Sequence, residues 1–179
     1  MKVKMSEKLA IPEGITCTVH NKVLTFKKGD KTIIRNVDLP RVNIIVSGND
    51  LVLASHKGSR KEHNLINLYL AHIKNAFSGL HKDFRYVLEA VNVHFPMTMK
   101  LEKNNLLINN FLGEKKPRIA LIHPNVKAEI KGQQIILTSF DKDAAGETVS
   151  CIERATKVRK KDRRVFQDGI YLVERPGRA

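Results

Sequence analysis

The sequence predicts an α+β protein made of one small unit used twice in tandem, each copy an antiparallel or mixed sheet packed with one main helix, over residues 1–82 and 83–179. Two observations lead there. The chain matches itself without gaps at a constant shift of 84 positions, and each copy runs from strand-like alternation through a hairpin into an amphipathic helix. At that shift Pro12, Gly29, Pro40 and Gly48 meet Pro96, Gly113, Pro124 and Gly132. Asn21, Lys31, Val42, Leu53, Ser55 and Ala71 likewise meet Asn105, Lys115, Val126, Leu137, Ser139 and Ala155. These ten identities over residues 11–71 compare with about four expected by chance from ordinary composition. Proline and glycine fix turns, so their coincidence implies the same order of strands and loops in both halves.

The elements follow in order. Ile15 and Cys17 alternate with Thr16 and Thr18 as a half-buried strand does, and Met99 and Leu101 alternate with Thr98 and Lys100 in the same way. "NIIVSGNDLVLAS" (Asn43 to Ser55) reads as a hairpin turning at Gly48 to Asp50, and "AEIKGQQIILTS" (Ala128 to Ser139) repeats it around Gly132. A helix then opens with Ser59 and Glu62 in the S-x-x-E capping arrangement and lays Leu65, Tyr69, Ile73, Ala76 and Leu80 on one face. The join lies near His81 to Phe84, ahead of the strand-like "RYVLEAVNVHF". The second helix is expected to start near Asp143 as N-cap, with Val149, Ile152, Ala155 and Thr156 inward and Gly146 costing about 1 kcal/mol of propensity.

Charge dominates the rest. Thirty-two basic residues against 18 acidic ones leave a net charge of +14, a strong attractive field for polyanions, and a nucleic-acid partner is the leading expectation. The N-terminal "MKVKMSEKLAIPEG" lacks the apolar run of a secretory signal, and no apolar run approaches the ~18 residues of a membrane span, so a soluble intracellular chain is expected, without membrane contact. Cys17 and Cys151 are isolated thiols, read as small buried residues rather than zinc ligands or a disulfide. No phosphate-cradling glycine motif, metal-ligand spacing or nucleophile arrangement occurs, so neither catalysis, nor a cofactor, nor a small-molecule substrate is expected. Asp162 and Asp168 are read as orienting neighbouring arginines.

The cations are concentrated. From Arg154 to Ala179 nine Lys or Arg face three acids, and five of the six residues from Arg159 to Arg164 are basic. At helical spacing Lys157, Lys160, Lys161 and Arg164 share one exposed face, a row of donors for phosphates, with Arg159 and Arg163 in the same segment. An apolar strand, "VFQDGIYLVE", follows and anchors the cluster; Tyr171 on it either completes a core, the favoured reading, or meets a sugar or base. Arg60 and Lys61, in "HKGSRKEH" (His56 to His63), stand at a helix N-terminus able to receive a phosphate. Lys115, Lys116 and Arg118 occupy a turn, "FLGEKKPR", that is either a contact or simply solvated. On the residues alone, an RNA-binding structural protein and a freestanding nucleic-acid-binding or adaptor protein with a basic tail both stay open.

Three motifs narrow this. "VHFPM" (Val93 to Met97), "NNFLGEKKPR" (Asn109 to Arg118) and "KDRRVFQDGIYLVE" (Lys161 to Glu174) resemble the large-subunit ribosomal protein L-six family in its eukaryotic form, called L-nine. The resemblance covers nearly the whole chain, and the last two motifs belong to the eukaryotic and archaeal branch. It implies two tandem α+β domains and attachment to large-subunit rRNA chiefly through the C-terminal domain, whose rRNA-facing segment falls on Lys157 to Tyr171. It further implies a place near the sarcin-ricin loop and the stalk base where translational GTPases dock, with ribosomal proteins as neighbours. The expected location is the cytoplasmic ribosome, with nucleolar passage during assembly in a eukaryote. The chain departs from the family in having no tryptophan before the first helix, where "HKGSRKE" stands, and in shortened first-domain loops and C-terminal tail.

Overall fold

The computed structural model describes residues 3–177 apart from 21, 38–41 and 49, so the Asn21 and Pro40 matches lie outside the described residues. The chain divides into two compact units, one ending at Lys82 and the other running from Asp83 to Arg178. The first contains strands β1 (Val3–Ala10), β2 (Thr16–His20), β3 (Val23–Lys28), β4 (Lys31–Asn36), β5 (Asn43–Ser47) and β6 (Asp50–Gly58), followed by helix α1 (Arg60–His81). The second contains β7 (Phe84–Val91), β8 (Thr98–Glu102), β9 (Asn105–Asn109), a 3-10 turn at Phe111–Gly113, β10 (Arg118–Leu121), β11 (Lys127–Lys131) and β12 (Gln134–Ser139). Helix α2 (Lys142–Ala155) and strand β13 (Gly169–Glu174) complete it. The class is α+β.

One strand order recurs. The first unit holds sheets β1-β6-β5 and β2-β3-β4; the second holds β11-β12-β7-β13 and β10-β9-β8. Among the described residues each copy thus has two small sheets where the sequence suggested one, every pairing is antiparallel, and β13 is an added edge strand without a counterpart. The shift of 84 holds at the second hairpin, where β5 and β6 map onto β11 and β12 and Gly48 and Gly132 turn at φ 62° and 63°. Glycine adopts that left-handed backbone at the least steric cost, which explains the match.

The gapless frame fails in the other sheet. Cys17 pairs with Phe26 and Val19 with Leu24, while Met99 pairs with Ile108 and Leu101 with Leu106. Leu101 therefore answers Val19, not Cys17. The cause is the longer connection between β9 and β10, where the 3-10 turn replaces a tight two-residue hairpin. Because strand side chains alternate with period two, a slip of two residues keeps every side chain on its own face, and the sequence pattern survives it.

Helix α1 starts where the capping pattern put it. Ser59 caps it, its hydroxyl accepts from Lys61 N at 3.3 Å, and its own N–H donates to Glu62 Oε2 at 2.8 Å. The buried stripe is rotated from the expected one: Ile66, Ile73, Ala76, Phe77 and Leu80 are buried, whereas Leu65 and Tyr69 are half-exposed at its margin. Phe77 meets Phe26 edge-on at 5.3 Å. Helix α2 is capped by Asp141 rather than Asp143, since the Asp141 carboxylate accepts from Asp143 N at 3.0 Å. Ala144, Ala145, Val149 and Ile152 face the second core, with Leu88, Leu106, Ile108, Phe111, Ile135, Leu137 and Ile170. Each of the larger side chains, Val, Leu, Ile and Phe, contributes roughly 1.5–3 kcal/mol by leaving water. Cys17 and Cys151 are free and half-buried, not core. Burial pushes the Cys17 thiol above its usual range. No helix among the described residues is long and apolar enough to cross a membrane.

Candidate nucleic-acid interface

Helix α2 ends at Ala155, so the expected helical row of Lys157, Lys160, Lys161 and Arg164 does not form. These residues instead belong to an irregular loop between α2 and β13. Thr156 stops the helix. Its hydroxyl donates to Ile152 O at 3.2 Å and accepts from Ile170 N at 3.1 Å, tying the start of the loop to the start of β13. Val158 then plunges into the core, which a continuing helix at this angle would not allow.

The far end is fixed by an acid. Asp168 is 3% exposed, and its Oδ1 accepts from Val93 N at 2.6 Å and His94 N at 3.0 Å while Oδ2 meets His94 Nδ1 at 2.5 Å. Burial alone would raise its carboxyl, but the hydrogen bonds from His94 and Val93 outweigh that and hold it below the usual carboxylate range. The His94 ring stacks on Phe166 at 4.8 Å, and Lys161 Nζ sits 4.4 Å from the Phe166 ring centre. In the middle, Asp162 accepts from Arg164 N at 2.9 Å through its side chain, and its carbonyl accepts from Val165 N and Phe166 N. Both acids therefore shape backbone; they do not orient arginine side chains.

Between these supports the cations face outward. Lys157, Arg159, Lys160, Lys161, Arg163 and Arg164 are all exposed, and Lys160 takes a left-handed φ of 57° at the loop's bend. Among the described residues, Lys157, Arg159, Lys160, Arg163 and Arg164 form no ion pair. A row of unneutralised cations on a pinned loop repels itself, so it is stable only where water, salt or a polyanion screens it.

The turn at Glu114 to Arg118 abuts this loop. Arg118 Nη1 donates to Ala155 O at 2.8 Å and Lys157 O at 3.1 Å, and its Nε and Nη2 grip the two Glu114 oxygens at 2.8 and 2.6 Å. Its guanidinium lies 4.2 Å from the Phe111 ring centre. Arg118 is thus a strut closing the end of α2, with its donors turned to protein. Hydrogen bonding by Arg118 holds the Glu114 carboxyl below its usual range, and the fields of Arg118 and Lys161 add to it. Lys115 and Lys116 on the same turn are exposed.

Two grooves flank the end of α2. One, of about 570 Å³, is lined by Glu153, Arg154, Lys157, Arg163 and Tyr171 among others. The other, of about 380 Å³, is lined by Arg118, Ile119, Arg154, Ala155 and Arg159. Arg154 borders both, yet sequence reading singled it out only as the start of a basic count. Tyr171 is 43% exposed, so the favoured core reading is wrong; Ile170 fills the core in its place. Arg60 and Lys61 belong to the first unit and stand exposed at the start of α1. Glu62 folds its carboxylate back over that helix terminus, which opposes a phosphate there.

The anchors His94, Phe166 and Asp168 were missed for a physical reason. Asp168 contacts His94 across 74 residues, and no local periodicity reports a contact of that span.

The model of the family described as "Ribosomal protein L6" matches residues 95–169, which span β8 to the first residue of β13. The "Large ribosomal subunit protein uL6" of Methanobrevibacter smithii is 37% identical, over 94% of this chain and 95% of its own length. Those of Methanosarcina mazei and Haloarcula marismortui are each 34% identical, over 98% and 95% of this chain and 99% and 96% of theirs. With similarity at that level from end to end, this chain belongs to the ribosomal protein L6 family, uL6, whose eukaryotic form is called L-nine.

Proposed function

We propose that the chain is a structural component of the large ribosomal subunit that binds rRNA mainly through its second unit. Family membership makes the role structural rather than catalytic. The observation that carries the rRNA reading is the pinned loop from Lys157 to Arg164, in which Lys157 and, between the buried anchors Val158 and Asp168, five further cations are exposed. Lys157, Arg159, Lys160, Lys161, Arg163 and Arg164 contact phosphates, with Lys115 and Lys116 on the adjoining turn extending the same field. Arg118 acts by positioning, while Arg60 and Lys61 give a peripheral contact from the first unit. Residues 1–82 and 83–179 act as separate α+β domains, the second carrying the rRNA-binding extension.

Binding works by counterion release: each cation that replaces a condensed counterion adds affinity, and the rigid sheet fixes the register of the RNA it touches. Sequence readout from the loop itself is minor. On this reading the bound RNA lies near the sarcin-ricin loop and the stalk base, with ribosomal proteins as neighbours, in the cytoplasm; the family resemblance of the second unit's motifs supports it. In a eukaryote the chain passes through the nucleolus during assembly.

The test is the salt dependence of binding to large-subunit rRNA. Four to six engaged phosphates give a log-log slope of about −3 to −5. Changing Lys160, Lys161, Arg163 and Arg164 together to Ala removes most of that slope and leaves the circular dichroism unchanged. An unaltered slope in the folded variant rejects the loop as the rRNA contact.

A further inference from the structure

Phosphate contacts leave one part of the larger groove unused. Tyr171 projects from the outward face of β13, and its ring packs over Gly169, where a Cβ would meet ring atoms and the phenol oxygen at 3.0 to 3.1 Å. Its hydroxyl donates to Gln167 O at 3.0 Å, which fixes the ring's direction. An aromatic side chain held this way, yet 43% exposed, is a prepared surface open to solvent. Arg154, Lys157 and Arg163 line the same groove, and its volume of about 570 Å³ falls within the roughly 300–1,000 Å³ of sites that bury a small organic group.

We propose that this groove receives one unstacked nucleotide of the bound RNA, its base laid on Tyr171 and its phosphate against Lys157 and Arg163. The inference rests on the rRNA reading above and adds to it a contact with a base. Aromatic platforms beside cations are how proteins hold bases splayed from RNA, because every base has a face to stack and a phosphate nearby. Glu153 gives the groove a preference. Its Oε1 accepts from Leu172 N at 3.3 Å, which keeps the carboxylate at the groove wall. A carboxylate repels phosphate, so the base and not the backbone lies on its side, and it accepts from an exocyclic amine. Adenine, cytosine and guanine carry such an amine; uracil offers only its N3–H, set between two carbonyl oxygens that the carboxylate repels. The groove therefore selects against uridine.

The experiment uses the full chain with short oligo(A), oligo(C) and oligo(U) strands and a blunt RNA duplex as probes. The chain has no tryptophan and three tyrosines, so a Tyr69→Phe, Tyr86→Phe variant reports Tyr171 alone by fluorescence. Oligo(A) and oligo(C) quench that signal and oligo(U) does so weakly; absence of quenching by every strand overturns the proposal. Tyr171→Ala weakens oligo(A) binding about 5- to 100-fold with the salt slope unchanged, since no cation is lost. Tyr171→Phe, which keeps the ring but loses its bond to Gln167 O, loses far less than Tyr171→Ala does, and Gly169→Ala, which displaces the ring, resembles Tyr171→Ala. Duplex binding is the same in all of them. Equal losses for strand and duplex, or no loss for oligo(A), overturn the base contact. Glu153→Gln narrows the difference between oligo(C) and oligo(U), and an unchanged difference removes Glu153 as the selector. If the parent chain binds neither strand nor duplex, the rRNA reading itself fails; if it binds both with the expected slope and without quenching, only the base contact fails.

Discussion

Replacing Asp168 by Asn isolates the support beneath the basic loop. The change keeps shape and one acceptor oxygen, so the bonds from Val93 N and His94 N can persist on Oδ1's replacement. What is lost is the charge that draws both backbone donors and the bond to His94 Nδ1 at 2.5 Å. At a site only 3% exposed, losing a charge-assisted hydrogen bond and weakening two others costs about 2 kcal/mol. The pH dependence has a definite sign. Asp168 titrates below its unfolded value, so its stabilisation is fully present above the unfolded pKa, about 4, and is lost as pH falls through the lower folded value. Urea unfolding followed by circular dichroism at about pH 7 and about pH 3 reads both effects. The parent should exceed Asp168→Asn by about 2 kcal/mol at neutral pH, and the gap should narrow in acid. A neutral-pH gap under about 0.5 kcal/mol, or one that widens as pH falls, refutes the strut.

Two further substitutions test neighbouring parts of the account. Gly146→Ala in α2 should stabilise by about 0.5–1 kcal/mol, because nothing lies within 4 Å of the added Cβ and the helix gains propensity; a thermal melt checks it, and a lower midpoint contradicts it. Arg118→Ala should lose about 2 kcal/mol in urea unfolding, since the carbonyls of Ala155 and Lys157 lose a charged donor, whereas the exposed half of the Glu114 pair adds little. Its rRNA salt slope should stay near the parent's, and a slope reduced by about one unit would make Arg118 a phosphate contact.

What the sequence showed, and what it hid, follows the range of the forces involved. Turns and caps are local. Gly48 and Gly132 were found because a left-handed turn admits little else, and Ser59 with Glu62 because a capping box spans three residues. Faces of strands were right even where the copies had slipped by two residues, because a period of two hides that slip. The α1 stripe was misplaced toward Leu65 and Tyr69 because which of several apolar residues is innermost depends on Phe26 and the sheets, not on the helix. Asp143 has a capping side chain and lies near the expected helix start, but the cap itself sits two residues earlier at Asp141.

The candidate interface was legible as composition and illegible as geometry. A run of Lys and Arg with helical spacing reads as helix, yet Thr156 and buried Val158 end α2 before it begins. Arg118 looked like its neighbours Lys115 and Lys116, although its guanidinium, laid over Phe111 and bonded to the carbonyls of Ala155 and Lys157, makes it a brace. Tyr171 was assigned inward because an apolar strand suggests a core, and only the pairing of β13 with β7 shows that Ile170 takes that role. In each case the deciding contact joins segments far apart in the chain.

Sedimentation of the endogenous protein tests the central claim most directly. Lysate is run through a gradient at ~0.5 M salt, enough to strip weak polyanion binding, with and without ribonuclease. The protein is expected to travel with the large ribosomal subunit at that salt and to leave it after ribonuclease. A protein that stays at the top of the gradient in both runs contradicts it.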